Sequence, residues 1–187
     1  EWLLKETGNF QNIYPLVLGS RGLSDLKYFI LGTKRFDMPW SGVIGMCSRF
    51  NEQNCKKDWD FIKSMYKGFL KEFPRTRANI YLSTVSKSPF TQDTFSPALV
   101  AAKTNQLFDL GFEKVIFSDT AADLVEPEQT YEFLSALKTE GEKSVPGFFK
   151  KTGFHGHGPM APVNAAIAAC LGIPHIEIAM IDIPESG

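Results

Sequence analysis

Residues 152–158 read TGFHGHG and hold two of the chain's three histidines. In an extended segment, residues i and i+2 point to the same side, so His155 and His157 can present two imidazole nitrogens to one metal ion. Two ligands do not make a site, and the same spacing also arises in a loop that carries two imidazoles by accident. The surroundings must decide. Polar residues gather at the ends of several short apolar runs: Ser48 and Arg49 after one, Ser83 and Thr84 at the next, then Asp119 with Thr120. A last run alternates His175, Ile176, Glu177, Ile178 and Ala179, which puts a carboxylate inside it. Ligands meet parallel sheets at the carboxyl ends of their strands, so these positions are candidates for chemistry. Each also has a bland reading. Asp119 fits an N-cap or an Asx turn, Glu177 an edge charge paired with a lysine, and His175 a surface residue at a strand's start.

The elements that must position these groups alternate. Six β-rich runs, 13–18 (IYPLVL), 42–47 (GVIGMC), 79–83 (NIYLS), 114–119 (KVIFSD), 153–157 (GFHGH) and 175–181 (HIEIAMI), are separated by helical patterns. The helices are expected over 23–31, 57–73, 96–110, 127–138 and 163–171. Ser96 followed by Pro97 is an entry signal, and Gly111 and Gly172 are stop signals. Alternation of this kind specifies an α/β fold with a mostly parallel sheet, either open and doubly wound or closed as a (β/α)8 barrel. A dinucleotide-binding sheet is disfavoured, because GSRGL is not G-x-G-x-x-G, and no P-loop motif occurs.

With 187 residues, 43% of them hydrophobic and sixteen Phe, the chain suffices for a single domain spanning 1–187. Twenty Lys+Arg against twenty-one Asp+Glu, without a basic block, give no sign of a nucleic-acid groove. Small molecules or proteins are the expected partners. No apolar run reaches the roughly 20 residues of a membrane span. The three cysteines, Cys47, Cys55 and Cys170, lack a C-x-x-C, which fits free thiols in an intracellular reducing compartment, the mitochondrial matrix or cytoplasm. The opening EWLLKETGNF reads as the last turns of a helix, so the chain is expected to lack its true beginning.

Several of these segments resemble the HMG-CoA lyase-like family, which includes the isopropylmalate and homocitrate synthases. SDTAADLVEP is similar to that family's D-T-x-G-x-x-x-P turn through Asp119, Thr120 and Pro127, with Ala122 where a glycine is usual. FHGHGPMAPVNAAIAACLGIPHIEIA resembles its H-x-H signature through His155, His157, Asn164 and Gly172. IYLSTVSKSPFTQDTFSP is similar in order and spacing to a strand and loop of the lyases, aligning Tyr81, Ser83, Pro89, Phe90, Ser96 and Pro97. Cys47 and Ser48 followed by Asn54 resemble a further lyase segment, with Arg49 in place of its glutamate.

The resemblance implies a TIM-type (β/α)8 barrel of which about strands three to eight are present. It implies metal-assisted cleavage of HMG-CoA to acetyl-CoA and acetoacetate, or a related reaction beside an acyl-thioester or 2-oxo acid. His155 and His157 would hold a divalent metal, Mg²⁺ or Mn²⁺. His155 would stand near the reacting hydroxyl, Asp119 would act with it, and Ser83, Thr120 and Glu177 would contact substrate. The family's R-D-G-x-Q motif, which carries a metal-binding aspartate and a catalytic arginine, does not occur in these 187 residues. Gly158 follows H-x-H where the family has Asn or Asp, and only IDIPESG stands where the family has a glycine-rich loop. Two imidazoles without a carboxylate suit hard cations poorly. The alternative is therefore a non-catalytic structural or binding subunit of a larger assembly. Six strands cannot close an eight-stranded barrel, so on either reading another chain or added segments are expected to cover the sheet edges.

Overall fold

The computed structural model describes residues 14–46, 55–88, 94–120 and 126–179. Six strands, β1 (Leu16–Val17), β2 (Pro39–Gly45), β3 (Arg77–Ser83), β4 (Lys114–Ser118), β5 (Thr152–Gly156) and β6 (His175–Ile178), form one sheet. Between them lie α1 (Gly19–Thr33), α2 (Cys55–Glu72), α3 (Pro97–Asp109), α4 (Pro127–Glu142) and α5 (Ala161–Cys170), with a 3-10 turn at Phe148–Lys151. Cys47, Ser48, Arg49, Asn54, Pro89, Phe90, Ala122 and the segments 1–13 and 180–187 lie outside the described residues.

Every neighbouring pair is parallel, and the spatial order is β1-β2-β3-β4-β5-β6. That order decides between the two architectures left open by alternation. A doubly wound sheet reverses direction at a switch point, whereas here each strand pairs with its predecessor and successor in the chain. Right-handed crossovers that always step the same way put every helix on one face. The result is a partial (β/α) barrel, with β1 and β6 at opposite ends of the sheet as expected for the first and last runs.

The boundaries differ from the expectations in ways with physical causes. β2 begins three residues early, at Pro39, because a proline is tolerated at the first position of a strand. The first run narrows to Leu16–Val17, and α1 starts as early as Gly19. α4 runs four residues beyond Lys138 to Glu142. The signals at helix ends hold. Ser96 Oγ accepts from Leu99 N at 3.2 Å, and Gly111 and Gly172 take φ of +104° and +97°.

Side chains alternate across the strands. Trp40, Ile44, Ala78, Ile80, Leu82, Val115, Phe117 and Phe154 are buried in one cluster with Ile30, Tyr66, Phe69, Leu107, Leu134 and Phe148 from the helical layer. Tyr66 of α2 solves a local problem in this layer. β1 pairs with β2 only at Ser41 and Gly42, so the backbone of Val43 has no strand partner on that side. The Tyr66 hydroxyl accepts from Val43 N at 2.9 Å and lies 3.1 Å from Val43 O and 3.4 Å from Val17 O. A side chain thus completes the ladder where the edge strand ends, as buried backbone groups require. Burial pushes the Tyr66 phenol up and keeps it a donor at neutral pH.

Candidate functional site

The face opposite the helices carries the polar residues. Registered neighbours in a parallel sheet point to the same side, so the ladder arranges them in rows. The row nearest the amino ends is Ser41, Asn79 and Lys114; the next is Val43, Tyr81, Ile116, Gly153 and His175. The row at the carboxyl ends is Gly45, Ser83, Ser118, His155 and Glu177. All six strands being parallel, Ser83, Asp119, His155 and His157 come to one mouth, while Gly111 and Gly172 precede the strands at the other end.

Glu177 is the hub. Its Oε2 lies 3.0 Å from His155 Nδ1 and accepts the Tyr81 hydroxyl at 2.7 Å, and its Oε1 lies 2.6 Å from His175 Nε2. Burial alone would raise the Glu177 carboxyl, but hydrogen bonds from His155, His175 and Tyr81 outweigh it and hold the group well below the usual carboxylate range. Burial, and then the hydrogen bond and charge of Glu177, push the Tyr81 phenol well above its ordinary value. Glu177 is thus ionised and can only accept, and Tyr81 keeps its proton to donate. The network assigns the tautomers. Each imidazole nitrogen facing Glu177 carries hydrogen, so in a neutral ring the lone pair lies on the other nitrogen, Nε2 of His155 or Nδ1 of His175.

The ring of Tyr81 stands edge-on to His155 at 5.5 Å, and that of His157 at 4.7 Å. His157 lies one residue beyond β5 with Nε2 3.5 Å from Ser118 Oγ, which contacts Thr120 Oγ1 at 2.9 Å. Gly153 makes room for this packing. A Cβ there would stand 2.9 Å from His175 Cδ2 and 3.1 Å from Ile116 Cγ1. Asp119 is buried at the end of β4, and its backbone N donates to His155 O at 3.1 Å. Ser83 is buried with Oγ 3.5 Å from Ile44 O, and Thr84, next in the chain, has φ of +56°. A left-handed β-branched residue stores roughly 1–3 kcal/mol of strain, a feature that clusters at functional sites.

The structure places His155, His157, Glu177 and Thr120 at the carboxyl end of the sheet and sets two further residues beside Glu177. His175, for which a surface position at the strand's start is the bland reading, shares Glu177 with His155. Tyr81 enters the sequence reading only through its place in a motif. The available signal is the period of two: His175 and Glu177, like Tyr81 and Ser83, must point to one face.

Among the described residues no group of three His, Cys, Asp or Glu is arranged to hold a metal ion. The Glu177 carboxylate already accepts three hydrogen bonds, and His155 has only Nε2 to offer beside His157. Two neutral nitrogens do not fit Mg²⁺ or Mn²⁺, which take several oxygen ligands. Calorimetric titration is therefore expected to detect at most weak Zn²⁺ binding, lost in His157→Ala, and no tight Mg²⁺ or Mn²⁺ binding. Tight Mn²⁺ binding abolished by the same substitution would reverse this.

No protein-family model and no curated protein sequence matches the chain. Solved structures do. The HMG-CoA lyase of Bacillus subtilis superposes with a TM-score of 0.66 at 22% identity, over 88% of this chain and 52% of that one. An HMG-CoA lyase of Acinetobacter baumannii, solved with coenzyme A and 3-methylmalate, gives 0.63 at 14% identity, over 90% and 52%. The carboxyl transferase domain of Rhizobium etli pyruvate carboxylase gives 0.56 at 15%, over 88% and 26%. The shared property is the fold, and the chain spans about half the length of the lyases it matches.

Proposed function

We propose that the mouth of the sheet is an acid–base site for carbon–carbon lyase chemistry of the HMG-CoA lyase type, acting on an acyl-CoA or a related 2-oxo acid. The observation that carries this reading is the ionised Glu177, which holds Nδ1–H of His155 and leaves its Nε2 as a base at the carboxyl ends of the strands. In a 3-hydroxyacyl thioester, Nε2 takes the hydroxyl proton, the C2–C3 bond breaks, and the oxygen's electrons form a ketone. The bond's electron pair passes to C2 as the thioester enolate. The imidazolium then returns its proton to C2, so acetyl thioester and ketone leave and the base is restored. His157, Ser118 and Thr120 line the approach and orient substrate oxygens. A divalent cation would stabilise the enolate in relatives of this type, but the described donors do not fit it and no step is assigned to it.

The likeness of fold to HMG-CoA lyases and the motif resemblance support the substrate class. The test is acetoacetate release from HMG-CoA by the 187-residue chain, with and without added Zn²⁺, Mg²⁺ and Mn²⁺. Turnover should fall about 10²–10⁴-fold in His155→Ala, the usual weight of a general base. Absence of turnover under every condition would reject the reading.

A second reading has its own support. β1 contributes only two residues, β6 has no partner beyond it among the described residues, and R-D-G-x-Q is absent from the chain. These favour a non-catalytic subunit whose edge strands are covered by a partner or a second copy. An intracellular reducing compartment, mitochondrial matrix or cytoplasm, suits either reading, since Cys170 is a free, exposed thiol.

A further inference from the structure

Below the mouth, the same face holds a cavity of about 340 Å³ lined by Tyr14, Ser41, Asn79, Tyr81, Lys114, Ile116, His175 and Glu177. It shares Tyr81, His175 and Glu177 with the site at the mouth, but its floor is the row of Ser41, Asn79 and Lys114 at the amino ends of the strands. Ser41 and Asn79 are only 2% and 6% exposed. Among the described residues neither side chain hydrogen-bonds to another, and neither polar group is sealed from solvent, so both can reach a molecule in the cavity. Lys114 likewise has no carboxylate partner among the described residues. A hydroxyl, an amide and an ammonium on one cavity floor, none of them engaged by another described side chain, form an anion receptor.

The single carboxylate in the lining does not oppose this. Glu177 stands two rows away, and four residues of strand at about 3.3 Å each separate the rows of Lys114 and Glu177 by roughly 13 Å. Its oxygens are also turned toward Tyr81, His155 and His175. Midway up, the His175 ring also lines the cavity.

We propose that this cavity binds a small organic carboxylate, with its carboxylate on Lys114, Asn79 and Ser41 and its body against Tyr81 and His175. Occupancy is felt at the mouth, because Tyr81 and His175 both donate to the carboxylate that sets His155. The proposal requires the hydrogen bonds of Tyr81 and His175 to Glu177 but not lyase activity.

The experiment is titration of the 187-residue chain with acetate, lactate and malonate in low-chloride buffer, followed by heteronuclear NMR and calorimetry. Saturable shifts should appear at the Asn79 side-chain amide and the His175 ring, and Lys114→Gln should weaken binding at least tenfold. Lys114 is partly exposed, so this variant should fold, and its thermal unfolding checks that it does. Saturable shifts confined to His155 and His157 would place the anion at the mouth and overturn the proposal. So would non-saturable shifts, or wild-type affinity in both Lys114→Gln and Asn79→Leu. Since the readout is binding, its failure is separate from a failure of HMG-CoA turnover.

Discussion

Glu177→Gln is expected to cut any turnover that depends on His155 by about 10²-fold or more while leaving the fold intact. A carboxylate that holds and orients a reactive imidazole is worth roughly that much, and more where the tautomer is at stake. The amide is nearly isosteric but presents one acceptor and one donor group where the carboxylate presents two acceptors. The three donors on Glu177, His155 Nδ1–H, His175 Nε2–H and Tyr81 O–H, cannot all be kept. At least one ring must reverse its tautomer or lose its bond. Nitrogen-15 NMR of the imidazoles should show a changed tautomer in His155 or His175 in the variant, a result that a purely structural role would not give. Unchanged tautomers together with unchanged turnover would remove Glu177 from the site.

The same group has a pH signature. The folded carboxyl lies below its unbound value of 4.5, so its contribution to stability is fully present above that value. It is lost as the pH falls from about 4.5 toward the depressed folded value. Chemical denaturation from neutral pH down through this acid range should therefore show a drop in the wild type that is shallower in Glu177→Gln.

The alternation of runs and helices was legible in the sequence because each element has its own local signal. Val115, Ile116 and Phe117 stand between a glycine-terminated helix and an aspartate, and Ser96-Pro97 announces α3. Elements without such signals were lost. Pro39-Trp40-Ser41 does not read as a strand, since Trp40 and Ser41 look unlike the apolar run that follows, yet Trp40 is fully buried against Tyr66, Phe69 and Phe112. The 3-10 turn at Phe148–Lys151 is too short to show a period.

The site divides in the same way. His155 and His157 are two residues apart and announce themselves, but the partners that determine what His155 can do come from β3 and β6. Tyr81 and Glu177 are ninety-six positions apart. Which residues face each other across β3, β4, β5 and β6 depends on strand order and register, and these are set by the packing of the helical layer rather than by a local pattern. The sequence could thus place Glu177 at the sheet without revealing whether it meets a lysine, a substrate or two imidazoles.

Gly141→Ala tests that packing where local and tertiary rules disagree in sign. Gly141 lies near the end of α4. Helix propensity taken alone makes alanine better there by about 1 kcal/mol. A Cβ at Gly141, however, would fall 2.5 Å from Phe148 Cε1 and closer still to its Cγ and Cδ1. That ring cannot yield easily: Phe148 is fully buried, stacked on Phe149 at 5.9 Å and Phe117 at 6.2 Å, with Phe108 edge-on at 6.2 Å. The helix end must move instead, and such overpacking costs roughly 1–3 kcal/mol. The net expectation is a destabilisation of up to about 2 kcal/mol, with Tm lower by up to roughly 8 °C for a chain of this size. Gly68 supplies the control, because it lies within α2, is exposed, and has nothing within 4 Å of the place an added methyl would take. Gly68→Ala should stabilise by roughly 0.5–1 kcal/mol. Combining Gly141→Ala with Phe148→Ala should cost less than the sum of the two, since the added methyl then fills part of the space the ring leaves. If both glycine variants raised Tm, or the double variant were strictly additive, the close approach of α4 to Phe148 would be wrong.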